Sequence, residues 1–342
     1  MNVHPDLLKI LGKIPRVPLG VYPTPLEHLP RLSQELNRSV YIKRDDLIGP
    51  ALGGNKTRKL EFLLAEAQRL GHTKVATFGG LQSNHARLTA AAANRLGMQT
   101  HLFYFERQPT RLRGKLALNK LLGASMHYIP FAGPGRNQRI EVTSRLVHIL
   151  AFSLIGRHYF IPVGGHTCLG CLGYVQAAIE LDEQARQSGI PDATVWMAAG
   201  SGGTLAGMMA GLALWNSCLK PIGVDVGKLW KAFPASIARL ANEICNLLGS
   251  SARFSHSRVP LIENLYVGPA YGSPSADGLQ ALTRLARTEG ILLDPVYTAK
   301  AFAGMLDQIG AGSLEPGAPV IFLHTGGVPA LFAFDEQQLL LT

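Results

Sequence analysis

Short β-rich runs alternate with helical patterns along nearly the whole chain, and this alternation limits the folds open to it. Buried-strand patterns occur at residues 40–46, 74–80, 99–106, 159–165, 194–200, 221–226 and 319–324. A helical pattern follows nearly every one of them. Parallel strands need a crossover connection, which is usually a helix. We therefore expect an α/β protein whose mostly parallel sheets carry helices on both faces.

Ligands bind at the carboxyl ends of the strands in such sheets. The turns that follow the predicted strands begin at Gly53, Gly79, Gly200 and Thr325. We expect a functional site where these turns meet.

The composition is typical of a globular protein with full-sized cores. The chain has 342 residues, of which 47% are hydrophobic and 16% are charged, and this length corresponds to about two domains. No internal repeat, low-complexity tract or long linker marks a boundary between them.

The net charge is +10, but the basic residues are scattered. The densest stretch, residues 107–120, is interrupted by leucines at helical spacing, which predicts a solvated helix face. A nucleic-acid footprint needs basic residues clustered on one face, so we expect no nucleic-acid partner. The positive field would still steer small anionic substrates inward.

Four cysteines include one C-x-x-C pair, Cys168 and Cys171. No second Cys or His pair stands at matching spacing, so no metal site is expected, and small buried residues are favoured over a redox pair. No stretch reaches the ~20 apolar residues of a membrane span, and residues 1–20 show no signal-peptide core. We expect a cytoplasmic protein without a membrane partner.

Residues 53–60, Gly-Gly-Asn-Lys-Thr-Arg-Lys-Leu, place a lysine in a glycine-opened turn between a predicted strand and a predicted helix. The two glycines let a flat ring approach the backbone closely. Lys56 is therefore a candidate Schiff-base lysine for a carbonyl cofactor. A surface lysine in an ordinary βα turn is the alternative, and Lys59 is the competing lysine.

The turn at residues 200–205, here called the Gly200 turn, reads Gly-Ser-Gly-Gly-Thr-Leu and opens a small-residue helix. Unpaired backbone N–H groups and the hydroxyls of Ser201 and Thr204 can bind a phosphate without a lysine or arginine. Leu205 stands at the third glycine of a dinucleotide fingerprint, and no P-loop lysine follows. A plain tight βα turn is the alternative.

The turn at residues 79–87, here called the Gly79 turn, reads Gly-Gly-Leu-Gln-Ser-Asn-His-Ala-Arg. Ser83 or Asn84 can serve as a helix N-cap, which is the commonest role of such residues. Four consecutive polar residues exceed what a cap requires. They can also hold a substrate carboxylate and the oxygen of a cofactor ring.

Taken together, these motifs resemble the 1-aminocyclopropane-1-carboxylate deaminase / D-cysteine desulfhydrase family, from about residue 19 to about residue 334. The other matching motifs are Tyr-Gly-Ser-Pro at 271–274, Leu-Asp-Pro-Val-Tyr at 293–297 and His-Thr-Gly-Gly-Val-Pro-Ala at 324–330. The resemblance implies a pyridoxal 5′-phosphate (PLP) enzyme of fold type II, the tryptophan-synthase-β-like fold, with two open twisted sheets. A large PLP-binding domain would comprise residues 1–52 and 160–342, with a small domain of residues 53–159 inserted in it.

The same resemblance implies a role for individual residues. Lys56 would carry the cofactor and act as nucleophile and base in turn, while Asn84 would bind the ring oxygen. The residues implied to hold the phosphate are Gly200, Ser201, Gly202, Gly203, Thr204 and Leu205. The residues implied to face the substrate are Gln82, Ser83, Asn84 and His85. Tyr271 and Tyr297 match active-site tyrosines that sit beside Ser83 and relay protons.

Two departures distinguish the branches of the family. The deaminase branch has a glutamate after the second tyrosine and a leucine between the His and the Gly-Gly, where this chain has Thr298 and Thr325. A neutral hydroxyl beside the pyridine nitrogen makes PLP a weaker electron sink than a carboxylate does. Thiolate is a good leaving group, so the threonines favour β-elimination of D-cysteine over opening of a cyclopropane.

Several alternatives stay open on the sequence. Cysteate, 3-chloro-D-alanine or another β-substituted amino acid can be the substrate, and deaminase activity or a non-catalytic PLP-binding protein is less favoured. The resemblance also implies a homodimer. Residues 226–230 and 166–168 match no motif of the family.

Overall fold

Two β-sheets form the framework of the protein. The computed structural model describes residues 4–129 and 140–339. The strands of this part of the chain are β1 Leu26–His28, β2 Val40–Lys43, β3 Lys74–Phe78, β4 Gln99–Tyr104, β5 Ser125–Tyr128, β6 Tyr159–Phe160, β7 Thr194–Ala199, β8 Lys220–Asp225, β9 Leu261–Ile262 and β10 Val320–Leu323.

Helices connect most of these strands. The described α-helices are α1 His4–Lys13, α2 Pro30–Leu36, α3 Lys56–Arg69, α4 Asn84–Arg95, α5 Lys115–Leu121, α6 Ile140–Ile155, α7 Cys168–Gln187, α8 Gly203–Leu214, α9 Phe233–Leu247, α10 Ala276–Glu289, α11 Thr298–Gly310 and α12 Glu336–Leu339. The 3₁₀ turns among the described residues are Asp45–Leu47, Val163–Gly165, His256–Arg258 and Val328–Ala333.

The larger sheet has six strands in the order β1-β2-β10-β7-β8-β9. All neighbours in it are parallel except β1 and β2. The last strand of the chain, β10, lies in the middle of the sheet, where Val320 pairs with both Val40 and Thr194. The polypeptide thus returns to the larger sheet, beside β2, after it has formed the smaller sheet.

The smaller sheet has four strands in the order β5-β4-β3-β6, all parallel. Its strands lie between residues 74 and 160. The inserted domain was expected to span residues 53–159, and β6 crosses the end of that range by one residue. The exact domain boundary stays a prediction.

All seven predicted strands are present; six are shorter than their patterns, and β8 has the predicted length but begins one residue earlier. The sequence pattern missed β1, β5 and β9. β9 has two residues and β1 has three, which is too short for an alternating pattern to show, and β5 reads Ser-Met-His-Tyr without an apolar run. Because β1 is antiparallel to β2, the larger sheet is mixed and not purely parallel. The expected fold class is confirmed by this architecture of two largely parallel sheets flanked by helices.

Apolar cores fill both faces of the larger sheet. In β7, Val195 and Met197 belong to the core under α7, α8 and α9, while Trp196 and Ala198 belong to the core under α10 and α11. Successive side chains of a strand point to opposite faces, so a fully buried strand needs no polar residue. This explains why β7 reads as a continuous apolar run.

Close packing of α3 on α7 fixes the start of α3. A Cβ atom on Gly173 of α7 would lie 2.2 Å from the backbone oxygen of Arg58. Any larger side chain at this position would push α3 away from α7. The first turn of α3, which begins with Lys56, is therefore held against the larger sheet's helical layer.

A buried cluster of charges holds the same turn. The Arg58 guanidinium donates to both oxygens of Asp45 and of Glu180, at 2.9 Å each. Tyr174 donates to Asp45 at 2.7 Å, and Lys43 donates to Glu180 at 2.5 Å. Burial alone would raise the pKa of Glu180, but hydrogen bonds and charge from Arg58 and Lys43 lower it to about 2. These residues come from α3, α7, β2 and the turn after β2.

Two further observations concern the described residues alone. In that part of the chain, no helix is long and apolar enough to cross a membrane. The four cysteines are free, and residues 4–129 and 140–339 contain no cluster of three His, Cys, Asp or Glu side chains suited to a metal ion.

We predict that Arg58→Met lowers the free energy of unfolding by about 3–5 kcal/mol, because Asp45 and Glu180 would stay buried without their main cation. Urea unfolding at pH 7 measures this change. The control is Arg287→Met on the exposed face of α10, which should shift stability by less than about 0.5 kcal/mol. Equal stability of the two variants would show that the cluster does not hold α3.

Candidate active site

The predicted turns surround one cavity at the carboxyl ends of β3, β7 and β10. Three helices, α3, α4 and α8, begin at its wall. The lining residues are Asn55, Lys56, Ser83, Asn84, His85, Val163, Gly164, Ala198, Gly200, Ser201, Gly202, Thr204, Leu229, Tyr271, Tyr297 and Thr325. The cavity thus receives residues from segments that follow strands of both sheets.

Lys56 is the first residue of α3 and lines the cavity. The turn before it packs against the turn after β10: Asn55 N donates to Thr325 O at 3.1 Å, and a Cβ atom on Gly54 would lie 3.1 Å from the same oxygen. Desolvation lowers the pKa of Lys56 well below its usual value, and the charge of Lys59 lowers it further. Burial therefore favours the nucleophilic, uncharged form of this amine.

Lys59 lies one helical turn further on and is fully buried behind the cavity wall. Its ammonium donates to Gly164 O at 3.2 Å. A Cβ atom on Gly203 would lie 2.6 Å from this ammonium and 2.8 Å from the Cys171 thiol. Lys59 therefore places its amine directly beside the Gly200 turn; burial lowers the pKa of this amine, and Cys171 opposes the shift. The sequence analysis described the anion site without a lysine, and the i, i+3 spacing of Lys59 from Lys56 was the available signal.

The Gly200 turn leads from β7 into the N-terminus of α8. Gly202 adopts φ +78°, and a Cβ atom there would lie 2.6 Å from Ile237. The side chain of Leu205 is buried in the core. Only its backbone N–H can therefore contribute to an anion site at this turn. Asn55 donates to the Thr204 hydroxyl at 3.0 Å. The first N–H groups of a helix have no partner within it and are suited to an anion.

Trp230, in the segment that matched no motif, supports this turn from outside. Its indole N–H donates to Gly200 O at 3.1 Å, and its ring packs against His166 and stacks on Phe233. The adjacent Leu229 lines the cavity. Residues 226–230 and His166 therefore belong to the wall around the site.

The Gly79 turn contributes three polar residues to the cavity. Ser83 caps α4 by accepting a hydrogen bond from Ala86 N at 3.2 Å, so the common role of such a serine is present. Asn84 Oδ1 and both ring nitrogens of His85 are buried without a partner among the described residues. Burial and the charges of Lys56 and Lys59 lower the pKa of His85 well below its usual value. Buried polar atoms without partners point to a ligand.

Gln82, which was expected to face the substrate, does not line the cavity. Its side-chain amide donates to Arg113 O at 3.2 Å and accepts from Lys115 N at 3.0 Å. The amide is engaged by the segment before α5. The structure therefore brings Ser83, Asn84 and His85 to the site and turns Gln82 away from it.

Two tyrosines cover the cavity on the side of α10 and α11. The hydroxyl oxygens of Tyr271 and Tyr297 are 2.5 Å apart. Burial raises the pKa of both phenols, and that of Tyr297 rises well above its usual value. Both phenols are therefore protonated at neutral pH and share one hydrogen bond, which is a suitable arrangement for passing a proton.

The two branch-specific threonines differ in position. Thr325 lines the cavity. Thr298 is fully buried, accepts from Asp294 N at 2.7 Å and donates to the Asp294 carboxylate at 2.9 Å. The hydroxyl of Thr298 thus helps to form the turn that carries Tyr297. Among the described residues that line the cavity, none is acidic.

Comparison with known proteins agrees with this arrangement. The sequence pattern of a family described as pyridoxal-phosphate dependent enzymes matches residues 17–326. The chain belongs to that family. As a pyridoxal-phosphate dependent enzyme it has the fold type II framework expected from its sequence.

Similar members of the family are known. D-cysteine desulfhydrase of Serratia proteamaculans (strain 568) is 38% identical over 340 residues, covering 97% of this chain and 99% of the relative. D-cysteine desulfhydrase of Klebsiella pneumoniae subsp. pneumoniae is 39% identical over 334 residues, covering 96% and 99%. A crystal structure of an ACC deaminase homologue superposes with a TM-score of 0.86 at 37% identity, covering 98% of this chain and 99% of that one. The resemblance to the 1-aminocyclopropane-1-carboxylate deaminase / D-cysteine desulfhydrase family is thereby confirmed.

The cavity of this pyridoxal-phosphate dependent enzyme fits its cofactor. Lys56 offers the carbonyl an amine whose pKa is lowered by burial, and the Gly200 turn with Lys59 offers an anion site to the phosphate. Asn84 offers a side-chain amide whose oxygen has no hydrogen-bond partner among the described residues. When bound, PLP supplies an electron sink for the electron pair released at the Cα atom of an amino acid.

We predict that Trp230→Phe weakens PLP binding about three- to tenfold, because it keeps the aromatic packing but removes the hydrogen bond to Gly200 O. Titration of the PLP-free protein with PLP, followed by absorbance, measures the dissociation constant. Trp196→Phe is the matched control, since its indole donates to Thr194 away from the cavity. Wild-type affinity in Trp230→Phe would show that Trp230 does not support the Gly200 turn.

Proposed function

We propose that the enzyme converts D-cysteine and water to pyruvate, hydrogen sulfide and ammonia by α,β-elimination. The observation that carries this proposal is a cavity lined by Lys56, whose pKa burial lowers, by polar Gly79-turn residues and by no acidic side chain among its described lining. The similarity to two D-cysteine desulfhydrases supports it.

Lys56 has the properties of the base in this reaction. Its pKa, lowered by burial and by the charge of Lys59, favours a free electron pair on Nζ, and this nitrogen can take the Cα proton of the substrate. Lys59 is the other lysine of the same helix, and its ammonium is bonded to Gly164 behind the wall. We therefore assign the nucleophile and base to Lys56.

The start of α4 is suited to the substrate carboxylate. The Ser83 hydroxyl accepts from Ala86 N and keeps its own proton for a ligand. The backbone N–H groups at the helix N-terminus favour an anion as well. We propose that Ser83, Asn84 and His85 bind the carboxylate, and that Gln82 supports them from behind.

The hydrogen-bonded tyrosines are suited to the leaving group. Both phenols carry their protons at neutral pH, and their hydroxyls form a continuous pair beside the cavity. We propose that the pair of Tyr271 and Tyr297 delivers a proton to the departing sulfide. Thr325, as a neutral lining residue, is consistent with a substrate that carries a good leaving group.

We predict that the PLP-loaded enzyme releases pyruvate and sulfide in equal amounts from D-cysteine. The assay also includes L-cysteine, both enantiomers of cysteate, 3-chloro-D-alanine and 1-aminocyclopropane-1-carboxylate. Lys56→Ala is the inactive control and should lose at least about 10²–10⁴-fold in turnover. If 1-aminocyclopropane-1-carboxylate is turned over in preference to D-cysteine, the enzyme is a deaminase and not a desulfhydrase. If only cysteate or 3-chloro-D-alanine is turned over, the leaving group is not sulfide.

We also propose a homodimer in the cytoplasm. The four free cysteines suit a reducing compartment. Helix α6 exposes Val142, Leu146, Ile149 and Phe152, and an apolar surface of this kind is typical of a protein contact.

We predict that light scattering at micromolar concentration gives twice the chain mass of 36.8 kDa. Ile149→Glu should lower the measured mass toward that of one chain if α6 lies in the contact. Leu121→Glu, at an exposed apolar residue of α5, is the control. A single-chain mass for the unaltered protein would contradict the homodimer.

A further inference from the structure

Lys115 is a fully buried lysine outside the cavity. It is the first residue of α5, and its ammonium donates to Gln82 O at 3.0 Å. Burying a charged group costs free energy unless it is paired and hydrogen-bonded. The contacts of Lys115 with its neighbours must therefore compensate for the cost of its burial.

Lys115 fixes the Gly79 turn. Its ammonium holds the backbone oxygen of Gln82, its backbone N–H holds Gln82 Oε1, and Arg113 O accepts from Gln82 Nε2. Three hydrogen bonds thus hold both the backbone and the side chain of the residue before Ser83. The position of Ser83 at the cavity depends on this attachment.

Asp294 fixes the turn that carries Tyr297. Its carboxylate accepts from the backbone N–H groups of Val296, Tyr297 and Thr298. The same carboxylate lies against Gly327, where a Cβ atom would be 2.7 Å from it. The Tyr297 turn therefore packs against the segment that follows β10, which residues 113–115 also touch.

The segment before Lys115 is wedged between the two sheets' loops. Gly114 adopts φ +53°, and a Cβ atom there would lie 2.7 Å from Gln82 Oε1 and 2.8 Å from Ala333 Cβ. Arg113 forms an exposed ion pair with Asp335 at 2.5 Å. Residues 113–115 thus touch the Gly79 turn and the segment that follows β10 at once.

We propose that Lys115 is a positioning residue, whose ammonium and backbone N–H hold Gln82 and so fix Ser83 at the cavity. Its effect on substrate binding rests on the proposed function. The attachment itself is a property of the fold and can be tested without a substrate.

The charge of Lys115 depends on pH near neutrality. Burial lowers the pKa of Lys115 to about 7; Asp294 opposes this shift and the Arg87 guanidinium adds to it. Arg87 does not change its charge near pH 7, since its own pKa, lowered by burial, is about 10. The donor to Gln82 O is therefore charged below pH 7 and becomes a neutral amine as the pH rises through it. A charged donor forms the stronger hydrogen bond, so KM for the substrate should rise over the same interval.

The test is Lys115→Met, which keeps the length of the side chain and removes its charge and donors. Asp294 retains its backbone donors, so the variant is expected to fold. We expect KM for D-cysteine to rise about tenfold or more with kcat changed less than about threefold, and the rise of KM above pH 7 to disappear. Lys120→Met, at an exposed lysine of the same helix, should behave as the unaltered enzyme.

Hydrogen–deuterium exchange supplies a readout that needs no substrate. The peptide covering residues 79–85 should exchange faster in Lys115→Met than in Lys120→Met, whereas the peptide covering residues 292–298, which Asp294 holds, should exchange alike in both. Lys115→Gln, which keeps a donor for Gln82 O without a charge, should restore slow exchange in the first peptide but not the pH dependence of KM. Unchanged exchange in the first peptide would overturn the proposal, whereas faster exchange without D-cysteine turnover would overturn only the proposed function. An unchanged KM profile with faster exchange would also overturn the positioning role.

Discussion

The site depends on the buried pairing of Arg58 with Asp45 and Glu180, because it fixes the helix that begins with Lys56. Each partner comes from a different element, and the cation is only two residues from the reactive amine. A buried ion pair of this kind adds little net stability over apolar packing but loses much when one partner is removed. Its effect here is to specify one position for α3 between the two sheets.

Charge also governs the reactive groups themselves. Lys56 and Lys59 stand on one face of α3, and burial lowers the pKa of both. The charge of Lys59 lowers the pKa of Lys56 further, while Cys171 opposes the shift at Lys59. One lysine lines the cavity and the other lies beside the Gly200 turn. A single helical turn thus supplies both the reactive amine and a donor beside the anion site.

The alternation of strands and helices predicted the fold class and the turns that meet at the cavity, since both depend on local patterns. The short strands β1, β5 and β9 were missed because their pairing is decided by neighbours far along the chain. Trp230 and Lys115 were missed for the same reason: their importance lies in hydrogen bonds to Gly200 and Gln82, more than 29 residues away. Gln82 had the right composition for a binding residue, but a distant segment occupies its amide.

Three helices, α3, α4 and α8, begin at the cavity wall. Each contributes the partial positive end of its macrodipole at the same place. These fixed dipoles disfavour a proton on Lys56 and attract the carboxylate and phosphate groups of ligands. Unlike mobile surface charges, dipoles in a buried wall are only weakly screened by dissolved ions. Anion binding in this cavity should therefore depend little on ionic strength, although the whole chain is strongly basic.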